Sequence, residues 1–367
     1  MRNFFILIFS LGFTSLSAQV NGGEQIFEFL RLSQSPHITA LGGIAVSSPS
    51  SDIMMTTGNP ALLRPEFHTN LGLNYNLYYA GTKVSNMVYA HHIKNLNTTF
   101  ALGIQHLNYG SFRLMDDIGN FVGDAKAADY SINLSASRSY LDKWRYGTTL
   151  KFANSSLIDK KASALLADIG VAYGDTSRQW YVGMAVKNAG VMIKKYEKSV
   201  NQPLPLDLQI GITKKFKKAP FSIMVLAHHL QKWDVRYDNP ADQTDNQLLF
   251  TDTTTNTKEK TYFADKLFRH FVFAIDINLG KRLELSAGYN HMRRSELAIE
   301  EKKGMSGFSF GGGLYLNKFI LHFAQSYYHI AGAYTEIGLN FKLNQLIGLG
   351  TGGNKINWSE KFAKSYN

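Results

Sequence analysis

Along most of this chain, apolar and polar residues alternate one for one in short runs, and the links between runs are by turns tight and long. Alternation of period two fits a strand with one face on a hydrophobic surround and the other on water. Tight turns on one side and longer loops on the other are how a transmembrane β-barrel is laid out, with the turns in the periplasm. In one run Tyr130, Ile132, Leu134 and Ala136 face one way while Ser131, Asn133, Ser135 and Ser137 face the other. In another, Leu283, Leu285, Ala287 and Tyr289 oppose Arg282, Glu284, Ser286 and Asn290; in the last, Ile337, Leu339 and Phe341 oppose Glu336, Gly338 and Asn340. The apolar sets read as lipid-facing and the polar sets as lumenal.

The pattern predicts about 14 strands, centred near Leu73, Val88, Gly103, Leu134, Leu150, Ile169, Gly183, Ile210, Val225, Ile275, Ala287, Gly312, Phe323 and Leu339. The fold class is therefore all-β: a transmembrane antiparallel barrel. The strand around Val225 is apolar on both faces, so its inner side is expected to pack against a plug. Connections near Asn95, Asp142, Asp175, Lys217, Gly280 and Asn317 read as tight, and those around Asp117, Lys195, Asp252 and Arg294 as long. The longest, from about Gln231 to Arg269, is rich in Asp, Asn and Thr (Asp238-Asn239-Pro240, then Asp252 to Asn256). It reads either as hydrophilic cover or as a surface for docking a partner.

The N-terminus sets the compartment. Residues 1–18 have a basic start at Arg2, a short apolar core from Phe4 to Phe13 and small residues before Gln19, the layout of a cleaved signal peptide. The apolar core is too short for a membrane helix. The chain has no cysteine, so disulfides and thiolate metal sites are excluded. Aromatics at 13% and 31 glycines, against only 18% charged residues, suit strands with aromatic girdles. The net charge of +11 is spread over turns, loops and tail rather than along one helix face. It points to lipopolysaccharide or lipid headgroups rather than nucleic acid.

Residues 19–66 stand outside the strand rhythm and form a candidate N-terminal hatch segment, with a periplasmic arm as the other reading. Their marked residues are Gly42 and Gly43, which permit a tight backbone turn, and Asn59, Pro60 and Ala61, where Asn-Pro fixes a turn before a small residue. The barrel would span 67–341, with a polar periplasmic tail over 342–367. In that tail Trp358, Lys361, Phe362 and Lys364 suit either a short helix at the membrane or against a partner, or a disordered end.

Phe27-Glu28-Phe29-Leu30, then Ala40-Leu41-Gly42-Gly43, then Asn59-Pro60-Ala61-Leu62-Leu63, ahead of about 14 strands, resembles the fatty-acid-transporter-like barrel superfamily. Within it the chain is similar to the PorV/PorQ family of the type IX secretion system, and to its PorQ branch. The resemblance spans the mature chain, but its motifs are short and lie in residues 26 to 63. It departs in lacking a terminal aromatic strand end, since a polar tail follows Phe341. The resemblance implies a non-enzymatic subunit in the outer membrane of a Gram-negative, Bacteroidetes-type cell. That subunit would anchor a PorZ-like surface protein in an attachment complex with a PorU-like sortase and a PorV barrel. The alternative is transport of hydrophobic compounds.

Patterns that mimic chemistry are weak here. Gly307-Phe308-Ser309-Phe310-Gly311 matches a nucleophile elbow in letters but runs on as a strand. Gly348, Gly350 and Gly353 lack the helix and returning strand that a dinucleotide site needs. His91-His92 and His228-His229 are neighbours that point to opposite faces of a regular strand, so neither pair is expected to chelate a metal. His106, His228 and His322 remain a possible lumenal trio. Asp116-Asp117 and Glu300-Glu301 read as solvated loop charge. No catalytic, cofactor-binding or metal-binding residues are assigned.

Overall fold

The computed structural model describes residues 25–197, 202–235, 263–296, 304–329 and 332–348. The signal segment, Asp238 to Asn256 of the longest loop, Glu300-Glu301, Gly350, Gly353 and the tail aromatics lie outside the described residues.

Fourteen antiparallel strands close into a single ring. The first seven are β1 (Asn70–Leu77), β2 (Lys83–Ile93), β3 (Thr98–Met115), β4 (Phe121–Tyr140), β5 (Trp144–Leu157), β6 (Lys160–Asp175) and β7 (Trp180–Lys194). The second seven are β8 (Asp207–Lys215), β9 (Phe221–Ala227), β10 (Phe271–Leu279), β11 (Leu283–Asn290), β12 (Phe308–Tyr315), β13 (Phe319–His329) and β14 (Gly332–Lys342). Each strand pairs with its sequence neighbours, and the seam is β1 against β14, with Asn70 opposite Lys342 and Leu77 opposite Thr335. Every expected strand centre falls inside an observed strand. No helix among the described residues is long and apolar enough to cross a membrane. Crossing is by strands, whose closure leaves no unpaired edge in lipid.

Alternation decides which face is which. On β4, Leu134 is 53% exposed while its neighbour-but-two Ser131 is fully buried. Ile132, Leu150, Ile169, Ile212 and Phe323 share the exposed apolar face. Trp144, Tyr146 and Trp180 are exposed where strands enter the tight turns, and Trp144 packs on Tyr173 with ring centroids 4.9 Å apart. They form the aromatic rim expected at a bilayer interface.

At one end every connection is tight, while the other end mixes tight turns, such as Ile158-Asp159 between β5 and β6, with long connections. At the uniformly tight end Asn97, Leu141 and Gln179 take left-handed backbone, with φ of 46°, 54° and 57°. Asn tolerates this readily, whereas at Leu and Gln the two flanking strands impose it. Tight turns place this end in the periplasm. At the other end one expectation fails. The link around Asp117 is not a long loop: β3 and β4, of 18 and 20 residues, run on as a paired ribbon and turn between Asp116 and Asn120. Ladder pairs such as Arg113 with Asp124 continue beyond the apolar band. A membrane crossing takes about 9–11 residues, so the excess stands outside as hydrogen-bonded wall.

Leu134→Arg puts a charge on the lipid face at a strand centre. The expected loss is about 2–4 kcal/mol, read as a lower denaturant midpoint for the barrel in lipid vesicles.

Candidate functional site

Residues 25–67 pack against the inward faces of the strands. Helix α1 (Pro36–Ala40) packs against β11 to β14, the turn at Pro60–Leu62 against β4 to β6, and the turn at Ile53–Thr57 against β1 and β2. Met224 and Leu226 of β9 are fully buried against this segment, which accounts for a strand that is apolar on both faces. The segment meets the wall on every side.

The contact brings segment backbone and the Asn59 side chain directly onto the wall backbone. Asn59 caps the following turn, its Oδ1 accepting from Ala61 N at 2.9 Å. Its Nδ2 donates to Val46 O at 2.9 Å and reaches Val171 O of the wall at 3.3 Å. Pro60 occupies the first position of the turn, where no amide hydrogen is needed. The approach is possible because the facing wall residues lack side chains. A Cβ on Gly170 would stand 1.9 Å from Asn59 Oδ1, one on Gly147 2.6 Å from Pro60 O, and one on Gly183 1.8 Å from Val46 O. Gly42 and Gly43 end α1 at φ of 88° and 89°, a region few residues other than glycine enter. Gly42 O accepts from Asn290 Nδ2 at 3.2 Å, and its amide lies against Gly288 of the wall.

A buried ionic cluster reinforces this fit. His37 Nε2 lies 3.2 Å from Asp276 Oδ1 and 3.3 Å from Glu284 Oε1, and His37 Nδ1 lies 3.3 Å from Ser50 Oγ. Ser286 and Tyr315 donate to the same two carboxylates at 2.6 and 2.8 Å. Burial works against charging His37, but Glu284 and Asp276 outweigh it and raise its pKa from 6.5 to about 10. The imidazolium thus ties α1 to β10 and β11. Asp52 ties the segment to β14: it caps Met54 N at 2.7 Å and accepts from Ser35 Oγ at 2.7 Å and Asn340 Nδ2 at 2.6 Å. His322 stacks on His37 with ring centroids 5.4 Å apart.

The two ends of the lumen differ. At the long-loop end, Ile26, Phe27, Phe29 and Leu30 are buried against Val84, Leu107, Leu166 and the alanines at 153, 162 and 164. The inner face, expected to be mostly polar, is apolar here because alanines line it. At the periplasmic end lies a cavity of about 1160 Å³ lined by Arg64, Lys94, Lys143, Arg145 and Lys342, with Glu66 and Asp142. Part of the positive charge expected at the lipopolysaccharide face is therefore gathered at the periplasmic mouth. Several of its basic groups are engaged: Lys143 bonds Asp175 at 2.9 Å, and Arg145 donates to Leu63 O at 2.9 Å.

The motifs resembling chemistry sort out individually. Ser309 lies within β12, its hydroxyl 2.6 Å from that of Ser326 on the next strand. Asp116 organises its own turn, accepting from Asn120 N at 2.7 Å and Ile118 N at 3.1 Å. His106, His228 and His322 do not converge: His106 faces outward, His322 joins His37, and His228 sits at the far end of the barrel. His91 and His92 point to opposite faces as expected, His92 inward on Thr99 at 2.9 Å. His228 and His229 depart from expectation. β9 ends at Ala227, His229 has a φ of 54°, and both rings turn inward with their Nδ1 atoms in contact. The alternation rule presumed a regular strand, and a left-handed histidine breaks it.

No family profile and no curated protein matches the chain. Solved structures do. The TodX monoaromatic hydrocarbon channel (deltaS2 mutant) aligns with a TM-score of 0.49 at 13% identity, covering 84% of this chain and 98% of that one. The CymD monoaromatic hydrocarbon channel aligns at 0.47 and 12%, covering 86% and 97%. A Pseudomonas aeruginosa FadL homologue aligns at 0.46 and 10%, covering 84% and 98%. At such identities the likeness is one of fold.

Gly170→Val is expected to drive the Asn59 turn off the wall. Overpacking of this kind costs about 1–3 kcal/mol, and limited proteolysis should cut within residues 25–67 while the barrel keeps its heat-modifiable gel mobility. His37→Gln leaves two buried carboxylates without their cation, an expected loss of about 3–5 kcal/mol. Because the His37 pKa is raised, its stabilisation is full below pH 6.5 and disappears as pH rises through about 10. Melting temperatures measured from pH 6 to 11 should show an alkaline step in the wild type that His37→Gln lacks.

Proposed function

We propose that this protein is a non-enzymatic outer-membrane barrel that serves as an anchor, sealed by its own N-terminal segment and presenting a docking surface at its long-loop end. The observation that carries the reading is the close fit of residues 36–63 to the wall, with peptide backbone seated on Gly147, Gly183 and Gly288 and the Asn59 side chain on Gly170. A segment held this closely makes a permanent closure, which suits anchorage better than flux. In its finer form the reading rests on the sequence resemblance. The barrel would be a PorQ-like subunit of type IX secretion, holding a PorZ-like surface protein beside a PorU-like sortase and a PorV barrel while cargo is joined to lipopolysaccharide. The connection from Gln231 to Arg269 is the docking element we favour.

One observation favours a second reading, transport of a hydrophobic compound. The upper lumen offers an apolar site, occupied here by Ile26, Phe27, Phe29 and Leu30, for which an apolar guest would compete. The hydrocarbon channels named above share this architecture, but they bear on fold and not on the choice between readings.

Deleting the gene separates the two. Anchorage predicts that secreted cargo stays unprocessed or is shed into the medium while growth on hydrophobic substrates is unchanged. Removing residues 236–262 from an otherwise intact barrel should then abolish recovery of the surface partner. Normal cargo with impaired growth on hydrophobic substrates would instead establish the transport reading.

A further inference from the structure

We infer that Asp207, His228 and His229 form a binding site for a divalent transition metal of the zinc class, at the root of the longest loop. Their ligand atoms, one carboxylate oxygen and two imidazole nitrogens, lie within 4.8 Å of one another, and all three residues are buried. Two histidines and one carboxylate are a donor set that zinc accepts with a fourth position left to water. Zinc held by bonds of about 2.0–2.1 Å separates its donors by roughly 3.3 Å. His229 Nδ1 and Asp207 Oδ1 stand 4.0 Å apart, and the two imidazole Nδ1 atoms are in contact. Small side-chain shifts in opposite senses bring all three to zinc spacing.

The surroundings hold the donors in place. Asp207 opens β8, and its carboxylate is fixed on one side by His229 N at 2.7 Å and on the other by Gln209 Nε2 at 2.6 Å. Orientation of a ligating carboxylate by such neighbours is usual in metal sites. His270, the next imidazole, is already committed: its Nδ1 pairs with His228 O at 2.8 Å and its Nε2 with Trp233 O at 3.2 Å. Arg31, whose charge reaches this corner, is held by Glu28 at 3.2 Å. The contrast with the His37 cluster is chemical. There the imidazole nitrogen carries a proton shared by two carboxylates, which occupies the place of a metal. Here two nitrogens face each other with one carboxylate at hand.

The site lies where the paired strands β8 and β9 meet the root of the loop. His228 and His229 begin the connection from β9 to β10, His270 ends it, and Asp207 belongs to β8. A bound ion would pin the start of the loop to β8, and the loop's end is tied to that point through the His270 contact with His228 O, whichever reading of function holds.

The test uses tag-free full-length barrel in detergent, stripped with a chelator and dialysed against zinc. The wild type should retain about one zinc per chain by elemental analysis, and its melting temperature should rise with zinc. His228→Ala with His229→Ala should reduce retention to background, and Asp207→Asn should weaken it at least tenfold. His91→Ala with His92→Ala, the pair that does not converge, should leave retention at one. Cobalt added to the wild type should give the intense visible bands of a four-coordinate site, a readout that needs no variant to fold. Zinc retention in the wild type no greater than in the double variant, or a cobalt spectrum no stronger than that of the aquo ion, would overturn the proposal.

Discussion

The hydrogen-bonded seam between β1 and β14 is the constraint on which the rest of the molecule depends. Lipid offers no partner for a peptide group, so a sheet in a membrane has to close on itself. Closure converts one face of every strand into an outer belt and the other into the wall of a lumen. The lumen then inherits everything the belt excludes. Glu284, Glu336, Asp168, Asp276 and Lys151 are all buried there. Each ionised group needs a partner, because an unpaired buried charge is costly. Lys151 finds Asp168 at 2.6 Å within the wall, while Asp276 and Glu284 find theirs on a different piece of chain, at His37.

This makes the N-terminal segment a necessary part of the electrostatics as well as a filler. It brings the imidazolium that two wall carboxylates require, and the wall in turn supplies the glycines that its backbone requires. Neither half is satisfied alone. Lys187 shows the same dependence in reverse. The register shift between β6 and β7 lets Lys187 and Asn188 face one residue, and Lys187 Nζ reaches Thr57 O of the segment at 3.1 Å. A bulge of this kind re-aims side chains at the expense of local pairing.

What could be read from the sequence follows from which interactions are local. Strand positions are local: Leu134 and Ser131 announce opposite faces whatever lies nearby, and every predicted centre is found in a strand. Asn59-Pro60-Ala61 and Gly42-Gly43 marked unusual turns, since proline and glycine limit or extend backbone freedom on their own account. Their seats on the wall were not readable, because the match of Pro60 to Gly147 joins residues that only the closed ring brings together. The β3–β4 ribbon was mistaken for a loop because, outside lipid, nothing requires one face to be apolar, and Arg113, Asp124 and Lys126 erase the pattern. The apolar upper lumen was missed for the opposite reason: Ala153, Ala162 and Ala164 look neutral in a sequence and become a greasy surface only when placed side by side. The inward turn of His229 rests on a backbone conformation that histidine seldom adopts, and no neighbouring residue type signals it.

The unequal strand lengths have a geometric consequence. β3 to β7 run to between 14 and 20 residues, whereas β8 to β12 have nine or fewer. Outside the bilayer the long strands therefore rise on one arc of the circumference only, as a stiff half-collar, while the opposite arc ends low and carries the connections between β9 and β12. A cylinder of uniform height looks the same from every bearing in the membrane plane. This one has a front and a back, so its rotation about the membrane normal is a coordinate that a neighbour can sense.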